Sequence, residues 1–183
     1  MSIHRTALVL LLVATLPGHA IGAAAQDPAA DCYRSAASGS DEPLACDLAV
    51  QVATRTGDSR ATAAAYTNRG IVLARGGRLE LALKDHDAAL ALQPQLLPAL
   101  LNRAHVLLRL GRFADALRAY DAAAAAEPDS SVVYLNRVFA QLALGNPSGA
   151  ETDLAQAGAL AAEQLRRQGR YRDSAAGDGM PGQ

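Results

Sequence analysis

The residue types able to bind metal or run catalysis are few in this 183-residue chain, and their spacing speaks against both uses. A metal site needs several His, Cys, Asp or Glu side chains converging on one point. Of the four histidines, His4 and His19 lie in the first 25 residues, which read as an export segment. Asp85-His86-Asp87 has ligand residue types, but consecutive residues on a helix point about 100° apart and cannot close on one ion. Gly57-Asp58-Ser59 puts an acid beside a hydroxyl, yet it sits at a helix boundary with no strand before it and no identifiable base. A helix cap accounts for Ser59 better. The chain has no G-x-S-x-G, H-E-x-x-H, G-x-G-x-x-G or P-loop segment. The expectation is a protein that is not an enzyme and takes neither metal nor cofactor. A formal net charge of −1 supplies no basic stripe to neutralise phosphates, so nucleic acid is not an expected partner.

The two cysteines, Cys32 and Cys46, carry chemistry of another kind. Their meaning depends on compartment, which the N-terminus addresses. Arg5 precedes an apolar run from Ala7 to Leu16 interrupted only by Thr15, and Pro17-Gly18 follows. That is the layout of a signal peptide, and the run is too short for a membrane span, which takes about 20 apolar residues. Ala23 and Ala25 form a small-residue cleavage site that would start the mature chain at Gln26, with cleavage after Ala20 the weaker choice. Loss of Arg5 leaves 16 basic against 18 acidic residues, a charge of −2, and no later segment long enough to span a membrane. The chain is expected to be exported, to the bacterial periplasm first and to the medium second. Disulfides persist there, so pairing of Cys32 with Cys46 is expected, clamping a hairpin made of a helix over 29–38, a turn over 39–43 and a second helix ending at Gly57. Two separate buried thiols are the alternative.

The body repeats one pattern. Asn68-Arg69, Asn102-Arg103 and Asn136-Arg137 are 34 residues apart, and Gly77, Gly111 and Gly145 share the period, as do Ala82, Ala116 and Ala150. Each unit reads as two helices, since apolar residues recur at three and four spacing, as in Leu100, Ala104 and Leu107, then Phe113, Ala116, Leu117 and Tyr120. The glycines separate the helices of a unit, and Pro94 and Pro128 separate the units. With aromatic residues at only 4%, close helix packing must run over small side chains such as Gly70, Ala82, Ala89, Ala104, Ala116 and Ala123.

Over roughly residues 63–162 these positions resemble the tetratricopeptide-repeat (TPR) family, whose 34-residue helix-turn-helix unit has the pattern W-x2-L-G-x2-Y, A-x3-F, P. Tyr66, Gly70, Leu73, Ala82, His86, Ala89 and Pro94 stand at its places in one unit; Leu100, Ala104, Leu107, Ala116, Tyr120, Ala123 and Pro128 do in the next. The third keeps Tyr134, Ala150, Leu154 and Ala157 but has Val138 at a small-residue place and no closing proline, so its second helix is expected to run on as a C-terminal cap, with Leu154, Leu160 and Leu165 continuing the buried face. His86 then occupies a core aromatic place. The resemblance implies an all-α superhelix, an α-solenoid, of three repeats. Its divisions are a signal peptide over 1–25, an N-terminal helical hairpin over 26–62, repeats over 63–96, 97–130 and 131–164, and a helix end with a disordered tail over 165–183.

It also implies a non-catalytic scaffold that binds another protein through the concave face lined by first helices. On that face Ile71, Arg75, Leu101, His105, Leu108, Arg109, Leu135 and Phe139 form a mainly apolar stripe, expected to take an apolar segment with Arg75 and Arg109 steering a flanking acid. Asn102 and Asn136 resemble part of a carboxylate-clamping set whose lysines are missing. Arg69, Arg103 and Arg137 replace the common leucine, and the acids Asp85, Asp87, Asp121 and Asp153 on second helices are expected to pair with them. Structural service in a homo- or hetero-oligomeric envelope assembly is the alternative function, and a carrier of small apolar ligands a third.

Overall fold

The computed structural model describes residues 27–39 and 41–168. The expected signal peptide and tail therefore lie almost wholly outside the described residues. Those residues form eight helices: α1 Pro28–Ser38, α2 Leu44–Thr56, α3 Ser59–Arg75, α4 Leu79–Leu92, α5 Leu97–Arg109, α6 Phe113–Ala126, α7 Ser131–Ala143 and α8 Pro147–Arg167. Consecutive helices pair as antiparallel hairpins, and each hairpin stacks on the one before, so the chain is an all-α solenoid.

Local chemistry sets the helix ends. Asp27, Asp58 and Asn146 accept hydrogen bonds from the first free backbone N–H groups of α1, α3 and α8. The cap at the second hairpin's start is thus Asp58, and the helix begins at Ser59, one position earlier than a cap at Ser59 implied. The three unit turns are one device used three times. Gly77, Gly111 and Gly145 have φ of 75°, 73° and 72°, the left-handed region, which lets the following N–H reach back into the helix. Arg78, Arg112 and Asn146 donate to the carbonyls of Leu73, Leu107 and Gln141, each at 2.9 Å.

The core sits where small residues let helices approach. Ala82, Ala89, Ala104, Ala116 and Ala123 are fully buried. Gly70 shows why size matters: a Cβ there would lie 2.5 Å from Cε1 of His86. The equivalent pair one unit on, Ala104 against Tyr120, tolerates the methyl. At the N-terminal end Cys32 and Cys46 are both fully buried, with Sγ atoms at the disulfide distance of 2.18 Å, in a cluster with Ala36, Ala49, Val50, Ala65 and Val72.

The last helix has 21 residues against 14 in α4 and α6, as the missing proline implied. Its apolar face is not buried as expected: Leu154 and Leu165 are exposed and Leu160 is half-buried. The reason lies in the stacking. His86 and Tyr120, at the places equivalent to Leu154, are 0% and 1% exposed because a following hairpin covers them, whereas Leu154 is 50% exposed, with no further hairpin after it among the described residues.

Candidate functional site

Two sets of residues on the first helices of the hairpins, α3, α5 and α7, can do chemistry: the arginines that sew hairpins together and the stripe that faces outward.

The arginines come first because they fix where the stripe points. Arg69 donates through Nε and Nη2 to both carboxylate oxygens of Asp85, at 2.7 and 2.8 Å, and through Nη1 to Asp47 on α2 at 3.0 Å. Arg137 repeats the arrangement with Asp153, at 2.9 and 2.5 Å, and Asp121, at 2.9 Å. Arg103 has only Asp87, at 2.6 Å, because Ala119 stands where the other units carry the buried acid. The Arg69 and Arg137 forks clamp their own hairpins and reach back to the preceding ones, whereas Arg103 only reaches back. The bonds to Asp85 and Asp153 outweigh the cost of burial and hold Arg69 and Arg137 above the usual guanidinium range. Their planes lie over Tyr66 and Tyr134, 5.5 and 5.3 Å from the ring centres. The arginines are committed to structure, so no carboxylate ligand is needed to satisfy them. Asp47 was the partner that the sequence did not reveal: it lies in the N-terminal hairpin, outside the 34-residue period.

The stripe changes character along the array. Ile71 is half-buried against the Cys32–Cys46 cluster, and Arg75 donates to the Ala36 carbonyl in the last turns of α1. Leu101 and Leu108 are half-buried against a cluster that includes Ala140 of α7, with His105 exposed between them. Arg109 donates to the Ala74 carbonyl near the end of α3. Arg75 and Arg109 therefore serve as C-terminal caps for the helix one hairpin earlier, where cations suit the helix dipole. Steering a ligand's acid is not their evident task. Asn102 likewise turns to its own helix, donating to the Pro98 carbonyl at 2.7 Å. On α7 the stripe opens: Leu135 is 47% and Phe139 62% exposed, with Val132 and Leu142 above and below them, a run at spacings of three, four and three. The eight expected residues thus share one side of the array, but only its C-terminal third is open apolar surface.

His86 is fully buried, and neither ring nitrogen has a hydrogen-bond partner. Desolvation, with Arg103 adding to it against the opposing pull of Asp87, lowers its pKa to about 4, so the ring is neutral. Among the described residues no group of three or more His, Cys, Asp or Glu could hold a metal ion. A concavity of about 650 Å³ lies between the start of α7, where Val132 borders it, and the last turns of α8.

Stacked helical hairpins on a 34-residue period, tied by repeated side-chain forks, define an α-solenoid repeat protein. Residues 97–140, spanning α5, α6 and most of α7, match the family model described as Tetratricopeptide repeat. No curated protein matches it. Among solved structures it is similar to one titled MamA RS-1 ArsTM double mutant, at 22% identity and a TM-score of 0.60, covering 76% of this chain and 79% of that one. It is also similar to MamA 41-end from Desulfovibrio magneticus RS-1, at 19% identity and a TM-score of 0.55, covering 79% and 87%. At such identity the likeness is one of fold.

Proposed function

We propose that this chain is a non-catalytic protein–protein interaction scaffold of the bacterial cell envelope, and that its partner presents an apolar segment to the open third of the concave face. The observation that carries this reading is the run Val132, Leu135, Phe139 and Leu142, four large apolar side chains on one face of α7 in contact with solvent. A helix in a soluble array keeps such a face open at a cost in aggregation, and a partner's helix or extended segment is what it fits. Phe139 is the natural anchor, with half-buried Leu101 and Leu108 as the floor. The export assignment is supported by the N-terminal segment and by the Cys32–Cys46 distance, which suits an oxidising compartment. None of the described helices is long and apolar enough to cross a membrane.

The test is a Val132→Asp and Phe139→Asp double variant, both sites being more than half exposed so that folding survives. In crosslinking capture from the envelope followed by direct titration of the captured segment, it should lose at least about tenfold in affinity, as for a hot-spot residue. Unchanged affinity for the same partner refutes the groove.

A further inference from the structure

A rule for stacking can be read from the three internal junctions. Each first helix meets the preceding hairpin through two small apolar residues and an arginine between them. In α3 these are Ala65, Arg69 and Val72; in α5, Ala99, Arg103 and Val106; in α7, Val133, Arg137 and Ala140. The apolar members are all buried against the hairpin before: Ala65 and Val72 with Cys32 and Cys46, Ala99 with Ala63 and Ala89, Val106 with Leu73 and Ala82, Val133 with Leu100 and Ala123, Ala140 with Leu107 and Tyr120. The arginines reach Asp47, Asp87 and Asp121 of those hairpins. The spacing is small-x3-Arg-x2-small each time.

The same spacing occurs once more, on α1, as Ala30, Arg34 and Ala37. Among the described residues no hairpin precedes this helix. Its buried face holds Cys32 and Ala36, so at about 100° per residue the Ala30-Arg34-Ala37 face points the other way. Ala37 and Arg34 are exposed, and among the described residues Arg34 pairs with Asp31 of its own helix. At the other end of the array, the positions that internal hairpins cover are open: Leu135 and Leu142 on α7, Leu154 on α8. Glu151 is exposed at the place where Leu83 and Leu117 pack against the next hairpin, and it has no side-chain partner among the described residues.

We propose that this chain stacks head to tail on a second copy of itself, the Ala30-Arg34-Ala37 face of α1 closing the α7–α8 end of the next molecule. The apolar part continues the internal junction, with Leu135, Leu142 and Leu154 receiving the two alanines. The charge part replaces the internal Arg–Asp link: the acid place after Asp87 and Asp121 is Ala155, and Glu151, one turn away, supplies the carboxylate for the incoming Arg34. Because the two surfaces differ, the contact does not close on itself and builds an open stack. It shares Leu135 and Leu142 with the groove reading and is told apart from it by Val132 and Phe139, which the stack leaves open, as their equivalents Pro98 and His105 stay exposed even inside the array.

Sedimentation equilibrium of the natively processed protein, from about 1 to about 200 µM, tests this. The weight-average mass should climb past the dimer. Arg34→Glu and Glu151→Arg should each raise the midpoint concentration about tenfold, and the double variant should return it to near the wild-type value. Leu154→Asp should leave a helical monomer by circular dichroism. A wild type that stays monomeric, a mass that stops at the dimer, or a folded double variant no better than the single ones overturns the proposal.

Discussion

His86 gives the sharpest handle on this fold. The perturbation is a fall in pH from 7.5 to 5, compared between wild type and His86→Phe. The folded-state pKa is about 4, well below the 6.5 of an unfolded histidine, because the ring is buried without a partner for either nitrogen. A depressed pKa means that the unfolded chain binds the proton first. The contribution is fully present above the unfolded pKa and is lost as pH falls toward the folded one. Over the full window a shift of this size is worth roughly 3 kcal/mol, of which about 2 kcal/mol goes between pH 7.5 and 5. The charged groups around the ring are Asp87, which resists the shift, and Arg103, which adds to it. Both remain in the variant, as does the exposed His105, so the difference between the two proteins isolates the imidazole. Phenylalanine should fit, since Tyr120 fills the equivalent place with Ala104 opposite. At pH 7.5 the variant should gain about 1–3 kcal/mol from removing unsatisfied nitrogens. Urea unfolding at several pH values reads both effects. Parallel stability profiles for the two proteins between pH 7.5 and 5 would show that the ring is hydrated or partnered and the reasoning wrong.

Four other perturbations have defined outcomes. Arg137→Ala leaves the Asp153 carboxylate, 2% exposed, buried and unpaired, and should cost about 3–5 kcal/mol in urea unfolding. Arg103→Ala abandons only the half-exposed Asp87 and should cost about 1 kcal/mol or less in paired charge. Gly70→Ala drives a methyl into His86 and should cost about 1–3 kcal/mol, with most of that recovered if His86 is also made alanine. Alkylation mass spectrometry of unreduced protein should find no free thiol, and reduction should lower stability by roughly 3 kcal/mol for a loop of about 15 residues; two alkylated cysteines would remove the clamp.

Much of this architecture was legible because period and residue size are written directly into the chain. The 34-residue repeat located the unit glycines, and the small residues at Gly70, Ala82 and Ala104 located the close approaches, since helix hairpins on this period have few other ways to pack. Pairing of the arginines with second-helix acids was legible for the same reason: both members recur with the period. What the sequence hid are contacts that join one hairpin to another off the period. Asp47 pairs with Arg69 at a separation of 22 rather than 16 residues, and Arg75 and Arg109 turn back to carbonyls of an earlier helix.

The burial of Leu154 was misjudged for a related physical cause. A hydrophobic pattern records which face a helix would bury inside an array, not whether a neighbour is there to cover it. Inside the solenoid the next hairpin always is, so His86 and Tyr120 are enclosed; at the end the same position meets solvent. Glu151 and Ala155 show the chain treating that end differently from an internal junction, replacing a packing leucine with a charge and dropping the acid that would meet the usual arginine. An end built only to be wetted would have lost its leucines as well. Leu135, Leu142 and Leu154 remain, and a surface that keeps three stacking leucines while changing one charge is shaped for a contact different from the internal one.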